Sequence, residues 1–287
     1  LVRIQTDPEA LLGHAHPAPP DNRTRHARLE KLFAEAGCQA RTEVTTGDLI
    51  CRVEGQTDDW IVIGASYDEP PRPVDSHDWP SAALLPALVR SLRLERHTHS
   101  FAFVAFADQR HRRPGYGTPG GVRYFIERLP GDLQRKSVAM ISLSGFGPGF
   151  GHAPIGVWSA QADPDMRLDV VSVSKSLDLP SRNVELKKYH ASDLTQLFEP
   201  AIPSIFLFVA DPEIGGLAGE YVDSFRFLAV YLGYVDHTLE ARSKPTPLED
   251  IAPDVPPSSA VSLGAGEGAD DEGQGTDGTG KEDVREH

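Results

Sequence analysis

The chain has 287 residues, 39% of them hydrophobic and 24% charged, a globular composition with enough apolar material for one large or two small domains. No stretch approaches the ~18 consecutive apolar residues of a membrane-crossing helix, and LVRIQTDPEALL lacks the basic-then-apolar order of a signal peptide, so a soluble chain without either is expected. The net charge is −14, and −8 of it falls after residue 242, where eleven Asp and Glu stand against three Lys and Arg. The body's densest basic run, Arg110, His111, Arg112 and Arg113, falls far short of a nucleic-acid binder's footprint, so neither nucleic acid nor membrane is an expected partner.

In chain order, DNRTRHARLEKLFAEA at 21–36 places Leu29, Leu32, Phe33 and Ala36 at helical spacing, with Gly37 where a left-handed cap ends such a helix. QARTEV and LICRVE flank TTGD, the pattern of a hairpin. Cys38 and Cys51, the only two cysteines, are too few for a disulfide framework or a thiolate zinc cage. They read as buried, inert thiols, with their pairing left open. WIVIGAS, FAFVAFA, VAMISLS and SIFLFVA are near-continuous apolar runs, as expected of strands buried on both faces. Between and after them lie helical patterns at 81–94, 121–129, 165–177, 192–198 and 218–239. Strands alternating with helices, plus an early hairpin, predict a three-layer α/β/α fold around a mixed, mostly parallel sheet. From 243 to 287 the chain is acidic and Gly-rich, with no aromatic after Pro245. It cannot bury enough apolar area to offset ordering, so a body over 1–242 and a disordered tail over 243–287 are expected.

Ligands of open α/β sheets bind beyond the carboxyl ends of the strands, here around Ser66 to Asp68, Asp108 to Arg110, and Ser144 with Gly145. The segments IVIGASYDEPPRPVDSHDWPSAALLPALVRSL, FAFVAFADQRHRRPGYGTPGGVRYFIERLP and SVAMISLSGFG resemble peptidase M28, a zinc aminopeptidase family. HAHPAPPDNRTRHARLEKLFAEAGCQARTEV and SDLTQLFEPAIPSIFLF extend the likeness over roughly residues 10 to 240. The resemblance implies a zinc-aminopeptidase-like fold. It also implies a site of two zinc ions that share a bridging carboxylate and a water, with a Glu as general base.

Carried over one by one, the family's first His ligand falls on Ser66 and the Asp two residues later on Asp68. The bridging Asp falls on Asp75, the base Glu on Gln109, the adjacent Glu ligand on Arg110 and the later Asp ligand on Ser144. The final His has no counterpart in VADPEIGGLAGEYVD. Of five ligands at most Asp75 survives, and a guanidinium about 4 Å from a divalent cation is repelled by roughly 8 kcal/mol at an effective dielectric of 20. Gln109 cannot accept a proton at neutral pH. Arg110 is expected to pair with Asp68 and Asp75 in place of the lost cations.

The implied function is a catalytically degenerate M28-like domain, a pseudopeptidase acting as a binding or structural module for a peptide or protein ligand, with no cofactor. The alternative is an active metal-dependent aminopeptidase or related amide hydrolase holding zinc at a rebuilt site of Asp75, His77, Asp78, Asp108 and His111. Other signals are discounted. Ser66, Ser142 and Ser144 lack a G-x-S-x-G elbow. Gly115, Gly117 and Gly120 start too far from the preceding strand for a dinucleotide loop, and Pro119 removes an amide that a pyrophosphate would need. His190 and Asp193 read as surface or capping residues. GFGPGFG at 145–151 reads as a loop over the cleft, with Phe146, Phe150 and Trp158 making that cleft apolar.

The tail gives the first testable outcome. Truncation after Arg242 should leave the melting temperature unchanged; a fall of several degrees in a thermal melt would mean that the tail packs on the body.

Overall fold

The computed structural model describes residues 7–43, 46–67, 78–107, 129–146, 155–158, 163–179, 181–184, 202–209 and 218–243. The chain divides into two units, Leu1–Pro245 and Thr246–His287, and every described residue lies in the first. The strands are β1 (Arg41–Thr42), β2 (Leu49–Val53), β3 (Trp60–Ser66), β4 (Ser100–Phe106), β5 (Ser137–Ser144), β6 (Ile155–Trp158), β7 (Ser181–Val184) and β8 (Ser204–Val209). The helices are α1 (Pro8–Ala15), α2 (Asn22–Glu35), α3 (Asp78–Leu92), α4 (Gly131–Lys136), α5 (Pro164–Ser176) and α6 (Ala218–Ser243).

Every residue of β3 and β4 is buried, as two-sided burial of an apolar run requires. They pair in parallel at the centre of one eight-stranded sheet of order β1-β2-β4-β3-β5-β8-β6-β7. β5 and β8 continue the parallel set. The β1–β2 hairpin joins β4 antiparallel, and β6 joins β8 antiparallel. Side chains alternate between faces, which gives two cores. On one face Ile61, Ile63, Phe101, Phe103, Ile141 and their neighbours pack under α1, α2, α3, α5 and α6. On the other, Val62, Val104, Phe106 and Met140 meet Leu129 and Leu133, the latter from α4. This is the three-layer α/β/α arrangement with a mixed, mostly parallel sheet.

Local signals explain most boundaries. The Asp21 carboxylate accepts the Thr24 N–H at 2.8 Å to open α2, and Gly37, at φ +80°, ends it, the cap residue expected from the sequence. Asp163 opens α5 by accepting the N–H groups of Asp165 and Met166. α3 starts at Asp78, three residues earlier than its apolar spacing predicts, because Trp79 is fully buried and its indole N–H donates to the His14 carbonyl. α1, α4, β6 and β7 span four to eight residues each and are too short to show a period. The helix expected at 192–198 and all but Leu129 of that at 121–129 lie outside the described residues. No helix among the described residues is long and apolar enough to cross a membrane.

The cysteines depart from the expectation of inert thiols. Cys38 and Cys51 are joined as a disulfide, with Cα atoms 6.1 Å apart. The turn at Gly37 returns the chain from α2 toward β2, and both side chains enter the same core. Residue spacing alone cannot reveal this, since it depends on α2 docking across β2. By the chain-entropy argument a cross-link of this span stabilises the fold by about 3 kcal/mol. Cys38→Ser with Cys51→Ser should therefore lower the unfolding free energy by about 2–3 kcal/mol in urea titrations, and the native chain should show no free thiol when denatured without reductant.

Candidate functional site

The parallel strands β4, β3, β5 and β8 finish side by side. Ser66, the last residue of β3, pairs with Phe106, the last of β4. Ser144, the last of β5, pairs with Phe208 of β8, and Ser66 and Ser144 each lie one step beyond the Ala65–Leu143 pair. Four strand ends thus share one line.

Ser66 is 4% exposed and Ser142 3%. By alternation both lie on the face of Val62 and Met140, and neither hydroxyl has a hydrogen-bond partner among the described residues. Leaving a buried hydroxyl unpaired costs about 1–3 kcal/mol.

Buried polar groups hold the strand ends from behind. Tyr67 donates its N–H to the Phe106 carbonyl and its phenol O–H to the Gly47 carbonyl, each at 3.1 Å. The Arg25 guanidinium, 2% exposed, donates to the Tyr67 carbonyl at 3.1 Å and the Pro19 carbonyl at 2.9 Å. It therefore fixes the peptide from which Asp68 departs. Asp48, 1% exposed, accepts the Ala107 N–H at 2.8 Å and does the same for the peptide leading to Asp108. The β1–β2 turn thus braces the ends of both β3 and β4.

The start of α3 is tied to the chain just beyond β5. Ser81 Oγ accepts the Phe146 N–H at 2.9 Å, and the Tyr221 hydroxyl donates to the Pro80 carbonyl at 2.7 Å. Gly145, at φ +68°, makes the turn that carries Phe146 inward. Phe146 is fully buried in the larger core, so it does not line an apolar cleft as its sequence context suggested.

Of the residues singled out from sequence, Ser66 ends β3, Ser144 ends β5, and Asp78 is the first residue of α3. Asp68, Asp75, His77, Asp108, Gln109, Arg110 and His111 lie outside the described residues, as do Phe150, His190, Asp193 and the glycines at 115, 117 and 120. Among the described residues no three His, Cys, Asp or Glu side chains are grouped to hold a metal. Sequence reasoning missed Arg25, Asp48 and Ser81. Arg25 carried a signal, since it sits four residues before Leu29 on the apolar stripe of α2; Asp48 showed only as a turn residue.

Asp48→Ala should leave the buried Ala107 N–H unpaired and cost about 2 kcal/mol. Asp48→Asn keeps an acceptor and should cost less, an order that chemical denaturation of the two variants will check.

No family model and no curated protein matches the chain. Among solved structures it is similar to a glutaminyl cyclase from Macrostomum lignano, at a TM-score of 0.61 and 10% identity over 81% of this chain and 90% of that one. It is also similar to the LapA aminopeptidase of Legionella pneumophila, at 0.56 and 14% over 80% and 70%. A zinc aminopeptidase from Bacillus subtilis matches at 0.49 and 13% over 64% of this chain, which spans only 49% of that protein's length. At such identities the likeness is one of fold: the first two show that the chain shares the α/β architecture of that aminopeptidase and that glutaminyl cyclase.

Proposed function

We propose that this chain is an M28-like domain whose hydrolytic zinc site has been dismantled and which serves as a binding or structural module for a peptide or protein ligand. The observation that carries the reading is Ser66. It stands at the end of β3, the position at which the resemblance expects a zinc-binding imidazole, and it offers one buried neutral hydroxyl with no partner among the described residues.

Donor chemistry supports it. A zinc centre wants imidazole, carboxylate or thiolate, whereas the corresponding positions carry Ser66, Gln109, Arg110 and Ser144 beside a single surviving carboxylate, Asp75. The two thiols are consumed by the disulfide. This donor set does not fit zinc, so no catalytic step is derived through a metal. Open α/β sheets commonly bind ligands beyond the carboxyl ends of their strands, where connecting segments carry the binding groups.

Zinc titration tests the reading, comparing the native chain with the variant Ser66→His, Gln109→Glu, Arg110→Glu, Ser144→Asp. The native chain should hold well under one zinc after dialysis and gain no thermal stability from it. The variant should bind zinc orders of magnitude more tightly, since three ligands appear and a cation leaves; an aminoacyl chromogenic substrate should still turn over weakly. One or two tightly held zinc ions in the native chain would overturn the proposal in favour of the rebuilt site of Asp75, His77, Asp78, Asp108 and His111. A folded variant with no gain would show that the four positions do not converge.

A further inference from the structure

A buried polar cluster lies at the opposite end of the sheet, where the strands begin. After α3 the chain turns through Glu95, Arg96, His97, Thr98 and His99 into β4, and Asp236 of α6 sits against that turn. Asp236 Oδ1 accepts the His99 backbone N–H and the His99 Nδ1–H, both at 2.8 Å, and its Oδ2 accepts the Thr98 N–H at 3.1 Å. Four residues along α6, Glu240 accepts the Thr98 hydroxyl at 2.9 Å. The His97 ring is wedged into this arrangement, edge-on to Phe101 with centroids 5.0 Å apart. His97 and His99 are each 5% exposed and Asp236 is 7% exposed.

The two ring nitrogens of His97 have separate tasks. Nε2 lies 2.6 Å from the Leu92 carbonyl, which can only accept, so Nε2 carries a proton. Nδ1 therefore holds the titrating proton. It lies 3.7 Å from Asp236 Oδ2, a charge contact rather than a hydrogen bond. We propose that this cluster is a proton-operated latch, fastening the C-terminal half of α6 to the turn before β4 in mildly acidic conditions and slackening when His97 becomes neutral. The inference does not rest on the proposed function.

The surroundings bias both groups toward their charged forms. Burial alone disfavours the His97 imidazolium, but Asp236, the Leu92 carbonyl and the negative Glu95 outweigh it and raise the ring's pKa above its ordinary value. Burial likewise disfavours the Asp236 carboxylate, and the two imidazoles with the His99 and Thr98 N–H groups outweigh it, holding it far below the usual range. The other titratable groups here are Glu240 and His99, with the buried Asp169 of α5 accepting the Thr238 hydroxyl at 3.0 Å, while Arg96 and His237 are exposed. A raised histidine contributes stability that is complete below about pH 6.5 and is lost as pH rises through its folded value. A depressed carboxylate contributes stability that is complete above about pH 4 and is lost below it. The latch is therefore fully closed between about pH 4 and about pH 6.5. It acts on a helix that also reaches the other end of the sheet, where Tyr221 holds Pro80.

Hydrogen exchange of the full chain at about pH 5.5 and about pH 8, corrected for the chemical rate, reads the latch directly. Opening of the α6 amides around Asp236 should increase severalfold at the higher pH, with the α2 amides as the unchanged reference, and its midpoint should coincide with the NMR titration of His97. His97→Gln keeps a donor for the Leu92 carbonyl but cannot titrate, so it should abolish the pH difference. Equal α6 protection at both pH values, a midpoint away from that of His97, or an unchanged pH difference in His97→Gln would each overturn the latch. The first two are read on the native chain, so the test stands even where the variant fails to fold.

Discussion

Everything in this fold hangs on the parallel pairing of β3 with β4, two strands buried at every position. Two-sided burial leaves the pair no alternative partner surface, and fully burying each large apolar side chain contributes about 1.5–3 kcal/mol. The register that results aligns Ser66 with Phe106, and a slip of one residue would exchange the two cores. The line of strand ends is therefore as rigid as the core itself.

Polar groups then decide where the chain goes once it leaves the sheet. Arg25 and Asp48 each grip a backbone group beside a strand end, and both are as deeply buried as the core leucines. Such interactions are costly to break because the remaining partner stays dry. Under the proposed function, this brace holds a scaffold kept for its shape. Shared architecture at 10–14% identity is compatible with that, since function resides in the side chains a fold presents and not in the fold.

How much could be read from the chain depended on the range of the interaction. The apolar runs of β3, β4, β5 and β8 and the stripe of α2 are local patterns, and each element lies where its pattern predicts. Ser66 was legible as the end of β3 for the same reason. The Cys38–Cys51 bond, the Asp48 contact with Ala107 and the Asp236 contacts with Thr98 and His99 join residues 13, 59 and about 138 positions apart, and no periodicity encodes a contact made by docking. The short strands β6 and β7 were missed because four residues cannot display an alternation. Asp68, Asp75, Gln109 and Arg110 lie outside the described residues.

The disulfide has a consequence for the order of assembly. Cys38 and Cys51 meet only when α2 has settled across β2, so the covalent bond is a permanent record that this docking took place. In the reduced chain the same two sulfurs, buried in the interface, become an internal clock. The speed at which an alkylating reagent finds them counts how often the helix lifts from the sheet.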